Sequence, residues 1–212
     1  TNCTFSANAA DSGGVMHNYN SSPKVTNCIL WGDSPDEIVN LQASTPTIRF
    51  SDVEGGIPSG AVDGGGNIDL DPMFVRPPDP GPDGAWDGVD DDYGDLRLPG
   101  GSPCIDAGDP AFVAQPGETD LEGHARVLCG RADMGAYEFG IGDYDCNQAV
   151  DLIDFANWSA CMTGPTTADT AVAHPVDPNP ESLNPACAAF DFDGDGDVDL
   201  FDFGGYQRIA GP

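Results

Sequence analysis

Positive charge is what this sequence has least of. Seven lysines and arginines face 36 aspartates and glutamates, a formal net charge of −29. Such a chain is repelled by DNA, RNA and anionic lipid surfaces, so no nucleic-acid partner is expected. Long apolar runs are missing too. No stretch of about 18 apolar residues occurs, which excludes a membrane-spanning helix. The seven cysteines form no CxxC pair and no Cys/His zinc spacing, so structural zinc is not expected. No GxSxG occurs, which removes the usual signature of a serine nucleophile on an elbow turn.

What the chain does have is glycine (28) and proline (19). These residues favour turns and short strands over long helices. The first 75 residues hold no helix-length amphipathic stretch. Cut every 25 residues, they give TNCTFSANAADSGGVMHNYNSSPKV, TNCILWGDSPDEIVNLQASTPTIRF and SDVEGGIPSGAVDGGGNIDLDPMFV. Each piece opens on a small polar pair and closes on Val25, Phe50 or Val75, and TNC recurs outright. A fixed period of this size points to stacked repeats. The expected fold class is mainly β: a right-handed parallel β-helix whose coils and cap fill 1–139, followed over 140–212 by a small α pair of calcium loops and helices. In that stack Cys3, Cys28 and Val53 form an inward column. Asn2, Asn27 and Asp52 form a turn column, and Lys24 lies next to Arg49. The inward cysteines then read as small buried hydrophobes rather than disulfide partners. Solenoid ends need caps. The chain is therefore expected either to be the C-terminal part of a longer solenoid or to have its open N-terminal coil covered, for example by self-association.

Residues 76–103 are proline- and glycine-rich with seven aspartates between Asp79 and Asp95, and read as a solvated acidic loop. Around them stand DPMFV (71–75), YGDLRLPGGSPCIDAGDP (93–110), TDLEGHARV (119–127) and RADMGAYEF (131–139). Residues 67–139 thereby resemble the choice-of-anchor Q domain, which closes parallel β-helices in exported bacterial surface proteins. The whole arrangement resembles exported proteins of planctomycete type. The resemblance implies a closing role and brings no catalytic residue. His124, in a Gly-His-Ala turn, reads as a packing or surface residue. Cys104 and Cys129 flank this segment and are candidates to pair.

The densest aspartate run is DFDGDGDVDLFD, residues 191–202. Counted from Asp191, acids fall at loop positions 1, 3, 5, 7, 9 and 12: Asp191, Asp193, Asp195, Asp197, Asp199 and Asp202, with Gly196 at 6 and Val198 at 8. This is the ligand spacing of an EF-hand-type calcium loop. A tightly wound loop turns positions 1, 3 and 5 inward. Position 6 needs positive φ, position 7 offers its carbonyl, and position 12 closes the shell from the first turn of the next helix. DYDCNQAVDLID, residues 143–154, repeats the pattern with Asp143, Asp145, Asn147, Asp151 and Asp154 at 1, 3, 5, 9 and 12 and Ala149 at 7. Gln148 replaces the glycine at 6, so this loop is expected to be the weaker. About two Ca2+ ions are expected, one per loop.

Two loop-helix units with Asp at position 12 resemble the type I dockerin. That module folds on calcium and, in cellulosomes, docks to a cohesin. Leu152-Ile153 and Leu200-Phe201 stand where those dockerins carry a Ser-Thr-like pair, and 163–187 is a long linker. Both departures count against a cohesin-type partner. The apolar pairs are expected to pack. Cys161 and Cys187 bracket the linker and are candidates for a disulfide, which leaves Cys146 as a candidate spare thiol.

Function has two readings. The first is an exported calcium-binding protein, secreted or at the cell surface, for attachment, extracellular assembly or carbohydrate binding, with a polysaccharide or protein partner. The alternative is a calcium-dependent extracellular hydrolase or lyase acting on a polysaccharide, ester or lactone. Lyases on parallel β-helices pair calcium with a basic proton acceptor. Lys24 and Arg49 are the only basic residues in the coil region and so the weak catalytic candidates. Glycosidase carboxylates cannot be chosen from so many aspartates.

Overall fold

The computed structural model describes residues 1–84, 86, 88–162, 185–192, 194, 198 and 200–209. The chain divides into two compact units: Thr1–Val113 with Arg131–Tyr137, and Ala114–Gly130 with Glu138–Pro212.

The first unit is built from eight strands of two to four residues, and every strand pair is parallel. They are β1 Thr4–Ser6, β2 Met16–Tyr19, β3 Lys24–Thr26, β4 Ile29–Trp31, β5 Ile38–Leu41, β6 Thr47–Arg49, β7 Asp52–Val53 and β8 Val62–Asp63. They form three small sheets, β1-β4-β7, β2-β5 and β3-β6-β8. The right-handed parallel β-helix expected from the repeat is not shown. Among the described residues no sheet closes or runs on as a solenoid, and only two helices occur, both in the second unit. The physical reason lies in unequal turns. Asn27 Nδ2 reaches Asn2 Oδ1 across 25 residues, Asn18 Nδ2 reaches Asn40 Oδ1 across 22, and the Ser22 and Thr45 hydroxyls meet across 23. Among the described residues the β2-β5 sheet gains no third strand, because 54–60 places Gly55, Gly56 and Gly60 at positive φ and contains Pro58.

The changing spacing also moves the columns. Thr4 pairs with Ile29, which sets Asn2 beside Asn27 as expected. Ile29 then pairs with Asp52 and Leu30 with Val53, so Val53 sits against Leu30 rather than Cys28, and Asp52 leaves the asparagine column. Val25, Cys28, Leu30, Ile38, Ile48 and Val53 make the core, with Cys3, Phe5 and Met16 at its margin. Cys3 and Cys28 thus pack as small apolar groups and are free thiols, as is buried Cys104. Asn27 is buried in a left-handed turn (φ 53°). Its side chain gives Nδ2 to Asn2 and accepts the Asp109 N–H at 2.7 Å. Both of its polar ends are thereby used.

Two of the buried carboxyls of this unit have strongly raised pKa values. Asp52 accepts the Leu70 N–H at 3.2 Å and the Cys104 thiol at 3.3 Å, and burial pushes its pKa up to about 6. Burial, reinforced by neighbouring Asp33, pushes Glu37 up to about 8. A carboxyl raised by folding adds stability below its unfolded pKa and loses that contribution as pH climbs through the folded value. The contribution of Asp52 is therefore lost between 3.8 and about 6, and that of Glu37 between 4.5 and about 8. In chelator, the first unit is expected to be more stable at pH 5 than at pH 8. The slope is about 1.4 kcal/mol per pH unit for each proton bound. Hydrogen exchange of the Leu30 and Ile48 amides checks this, and protection that rises with pH over that window contradicts it.

The second unit contains α1 Leu152–Cys161, a short 3-10 helix Pro185–Phe190, and α2 Leu200–Ile209. Its core is aromatic: the Trp158 ring packs at a tilt, its centroid 5.0 Å from that of Phe190 and 5.6 Å from that of Tyr206, with Cys161, Cys187 and Val198 closing the cluster. Tyr206 keeps its hydroxyl satisfied by donating to the Asp151 carbonyl at 2.9 Å. Arg126 and Glu138 form a buried ion pair at 3.2 Å. No helix among the described residues is long and apolar enough to cross a membrane.

Candidate metal centre

The first aspartate loop is wound around two buried carboxylates. Asp143 is almost fully buried, and its two oxygens accept the Asn147 N–H at 3.0 Å and the Gln148 N–H at 2.8 Å. Asp154, in the first turn of α1, is fully buried. Its Oδ1 accepts the N–H groups of Tyr144 (2.8 Å) and Asp145 (3.2 Å), and its Oδ2 accepts that of Asp151 (2.7 Å). Asp151 in turn caps α1 by accepting the Ile153 N–H at 2.7 Å, so Asp151 and Asp154 form a reciprocal capping box. The helix start and the aspartate loop are one structure, since position 12 is also the third helical residue.

These bonds bring one carboxylate oxygen each from Asp143, Asp145 and Asp154 within 4.8 Å of one another. Burial raises the Asp143 pKa, the two backbone N–H groups lower it, and Asp154 and Asp145 raise it further. Hard oxygen donors at this separation suit a calcium ion, which takes 6–8 oxygens at about 2.3–2.6 Å. Of the other expected ligands, Asn147 Oδ1 accepts the Ala149 N–H at 2.8 Å and Ala149 is exposed. Asp145 and Asp151 are exposed as well. The residues therefore fit a calcium loop whose inner wall is Asp143 and Asp154 and whose outer wall faces solvent.

Gln148 does occupy the left-handed region that position 6 demands, at φ 68°. A non-glycine residue there costs about 1–2 kcal/mol. Gln148→Gly is expected to tighten calcium binding by the first loop roughly threefold, equivalent to about 0.6 kcal/mol. Part of the released strain is offset by the larger unfolded entropy of glycine. Calorimetry of the variant against the parent measures it, and unchanged or weaker binding contradicts the strain argument.

The second loop shares its frame with the first. Phe192 N–H donates to Asp202 Oδ1 at 2.7 Å, the same bond between positions 2 and 12 that joins Tyr144 to Asp154. Position 4 is left-handed in both loops, at Gly194 (φ 73°) and Cys146 (φ 57°). Position 8 supplies Val198 and Val150 to the same apolar cluster. Asp202 is fully buried and Asp191 half-buried. Asp193, Asp195, Asp197 and Asp199, the remaining expected ligands, and Gly196 lie outside the described residues. No protein-family model matches the chain, nor does any curated protein or solved structure.

Three other expectations are corrected. Leu152 and Ile153 do not pack: they are 81% and 59% exposed, because α1 turns Trp158 and Cys161 inward instead. The side chains of Leu200 and Phe201 lie outside the described residues. Cys146 is not a spare thiol, and Cys104 does not pair with Cys129: Cys129 bonds to Cys146, while Cys104 is buried beside Asp52. Position 4 is not among the expected ligand positions, and Cys146 Sγ is taken up by Cys129. Cys161 and Cys187 do pair.

Lys24 and Arg49 are not brought together either. Lys24 lies opposite Thr47, and Arg49 lies opposite Thr26 and is ion-paired with Asp109. The stacking of Lys24 on Arg49 expected from the repeat is not found. The acidic loop spends charge on arginine: Arg76 pairs with Asp92 at 2.7 Å and Arg97 with Asp95 at 2.5 Å. Asp120, Glu122 and His124 also cluster. Asp120 accepts the N–H groups of Glu122, His124 and Glu138, so its carboxylate closes a turn. Burial pushes the Asp120 pKa up, but the hydrogen bonds from His124 and Glu138 hold it below its ordinary value.

Proposed function

We propose that this is an exported, calcium-binding protein for surface attachment or extracellular assembly, and that its second unit is a dockerin-like module organised by calcium. The convergence of Asp143, Asp145 and Asp154 on one point carries the reading. The matching frame around Asp202 supports a second ion. The Cys129–Cys146 and Cys161–Cys187 disulfides favour an oxidising compartment, secreted or at the cell surface. Exposed Leu152 and Ile153, on the rim of an acidic loop, offer the module an apolar contact for an extracellular protein partner.

Calorimetry is expected to assign about two calcium ions to the aspartate loops, one per loop. Chelation is expected to open the amides of 143–154 and leave those of β4 and β6 protected. Absence of binding at millimolar calcium would sink the proposal.

A further inference from the structure

A different pair of acids stands in the first unit, with no aspartate-loop spacing to announce it. Asp33 and Glu37 flank the turn that follows β4, and they are only 8% and 7% exposed. Asp33 Oδ1 accepts both the backbone N–H and the Nδ2 of Asn8, each at 2.6 Å. Glu37 Oε1 accepts the Asp33 N–H at 3.1 Å. Each carboxyl thus has one oxygen fixed. The other two, Asp33 Oδ2 and Glu37 Oε2, are buried and have no hydrogen-bond partner among the described residues.

Both residues line a cleft of about 640 Å3, together with Asp36, Glu54, Asn40 and Ser59. No lysine, arginine or histidine lines it. Glu54 is tied through Oε2 to the Gly32 N–H at 2.7 Å and adds a further negative charge. Buried carboxylate oxygens without a donor are costly. At neutral pH a proton held on Glu37, whose pKa burial and Asp33 raise to about 8, can bridge the two carboxyls, and a cation bound between them takes the place of that proton. The two Asn8 donors orient Asp33 so that its idle oxygen is presented rather than consumed.

We propose that Asp33 Oδ2 and Glu37 Oε2 anchor a divalent, oxygen-preferring cation, with water completing its shell from the cleft. Two carboxylates plus water is an ordinary shell for Mg2+ and an adequate one for Ca2+. The site is separate from the aspartate loops and does not rest on them.

The test is amide hydrogen exchange on the full chain with added MgCl2 or CaCl2, read separately over 33–40 and 143–154. In the parent, either metal is expected to raise protection at 33–40. Asp33→Asn with Glu37→Gln is expected to abolish that rise and to lower the calorimetric stoichiometry from about three ions, one at this site and one in each aspartate loop, to about two, with the response of 143–154 unchanged. Glu37→Gln alone, which keeps the Asn8–Asp33 bonds, is the second variant and is expected to weaken the site at least tenfold. A response at 33–40 to magnesium as well as calcium points to a largely hydrated ion, and a response to calcium alone to a more enclosed one. Both support the site. No response in the parent to either metal at millimolar concentration, or a response that survives both variants, overturns it. So does protection by spermidine with none from either metal. A response confined to 143–154 tests the loops and also overturns this proposal.

Discussion

Asp154→Ala is expected to destabilise the second unit severely, with or without calcium. One fully buried carboxylate there accepts three backbone N–H groups, from Tyr144, Asp145 and Asp151. Alanine leaves three donors without their acceptor, each costing about 1–3 kcal/mol when buried. The Asp151 bond is also half of the capping box of α1, whose other half, Asp151 accepting the Ile153 N–H, remains. A loss of about 4 kcal/mol or more is expected, against a typical total of about 5–15 kcal/mol for a domain. Asp154→Asn separates the two roles of this residue. It keeps one oxygen acceptor and costs about 1–2 kcal/mol, yet it removes a charged ligand and weakens calcium binding strongly. Guanidinium unfolding followed by Trp158 fluorescence reports both variants, since Trp158 sits in the aromatic cluster of this unit. A loss below about 1 kcal/mol for alanine would show that the loop is organised by something other than Asp154.

The second large effect is redox. Both disulfides lie in the second unit, closing spans of 17 and 26 residues. On the chain-entropy account each closure of that length contributes about 3 kcal/mol, so reduction removes a large part of the stability of so small a unit. Dithiothreitol is expected to shift the Trp158 transition to markedly lower denaturant. Cys161→Ala with Cys187→Ala alone is expected to lose about 3 kcal/mol. The first unit should not respond, because Cys3, Cys28 and Cys104 are free thiols. Burial raises the pKa of Cys28 and of Cys104, so both should resist alkylation in the native protein, while half-buried Cys3 reacts first. Mass spectrometry of alkylated native protein counts the sites. Rapid labelling at Cys28 or Cys104 would contradict the packing described for the first unit.

The candidate centre was legible because its information is local. An aspartate loop needs only twelve consecutive residues and a few left-handed turns to bring its ligands together. Spacing alone therefore picked out Asp143, Asp145 and Asp154 and marked Gln148 as the position forced to positive φ. The same locality placed a helix at the end of the loop with position 12 in its first turn, where α1 Leu152–Cys161 lies. Local information failed where a side chain had two destinations. Leu152 and Ile153 are as apolar as Val150, and only the way α1 rolls onto Trp158 leaves them in solvent. The Asp33–Glu37 pair was hidden among 36 acidic residues for the same reason. Burial and two idle oxygens set it apart, and neither is a property of spacing.

The first unit shows the other limit. The repeated TNC triplet marked neighbouring parallel strands, and Thr4 does lie beside Ile29. Extending that period to a continuous β-helix assumed equal turns. The turns are unequal, so the columns slip, Arg49 meets Thr26 rather than Lys24, and each sheet stops at two or three strands. Which cysteines join was likewise settled by distance in space: Cys129 and Cys146 have Cα atoms 5.7 Å apart. From its sequence alone this protein specifies an acidic chain of short strands and turns with paired aspartate loops, because charge, turn chemistry and ligand spacing act within a dozen residues. Register, disulfide partners and the buried Asp33–Glu37 pair were decided only by the tertiary structure, because each depends on segments that meet after the intervening chain has chosen its turns.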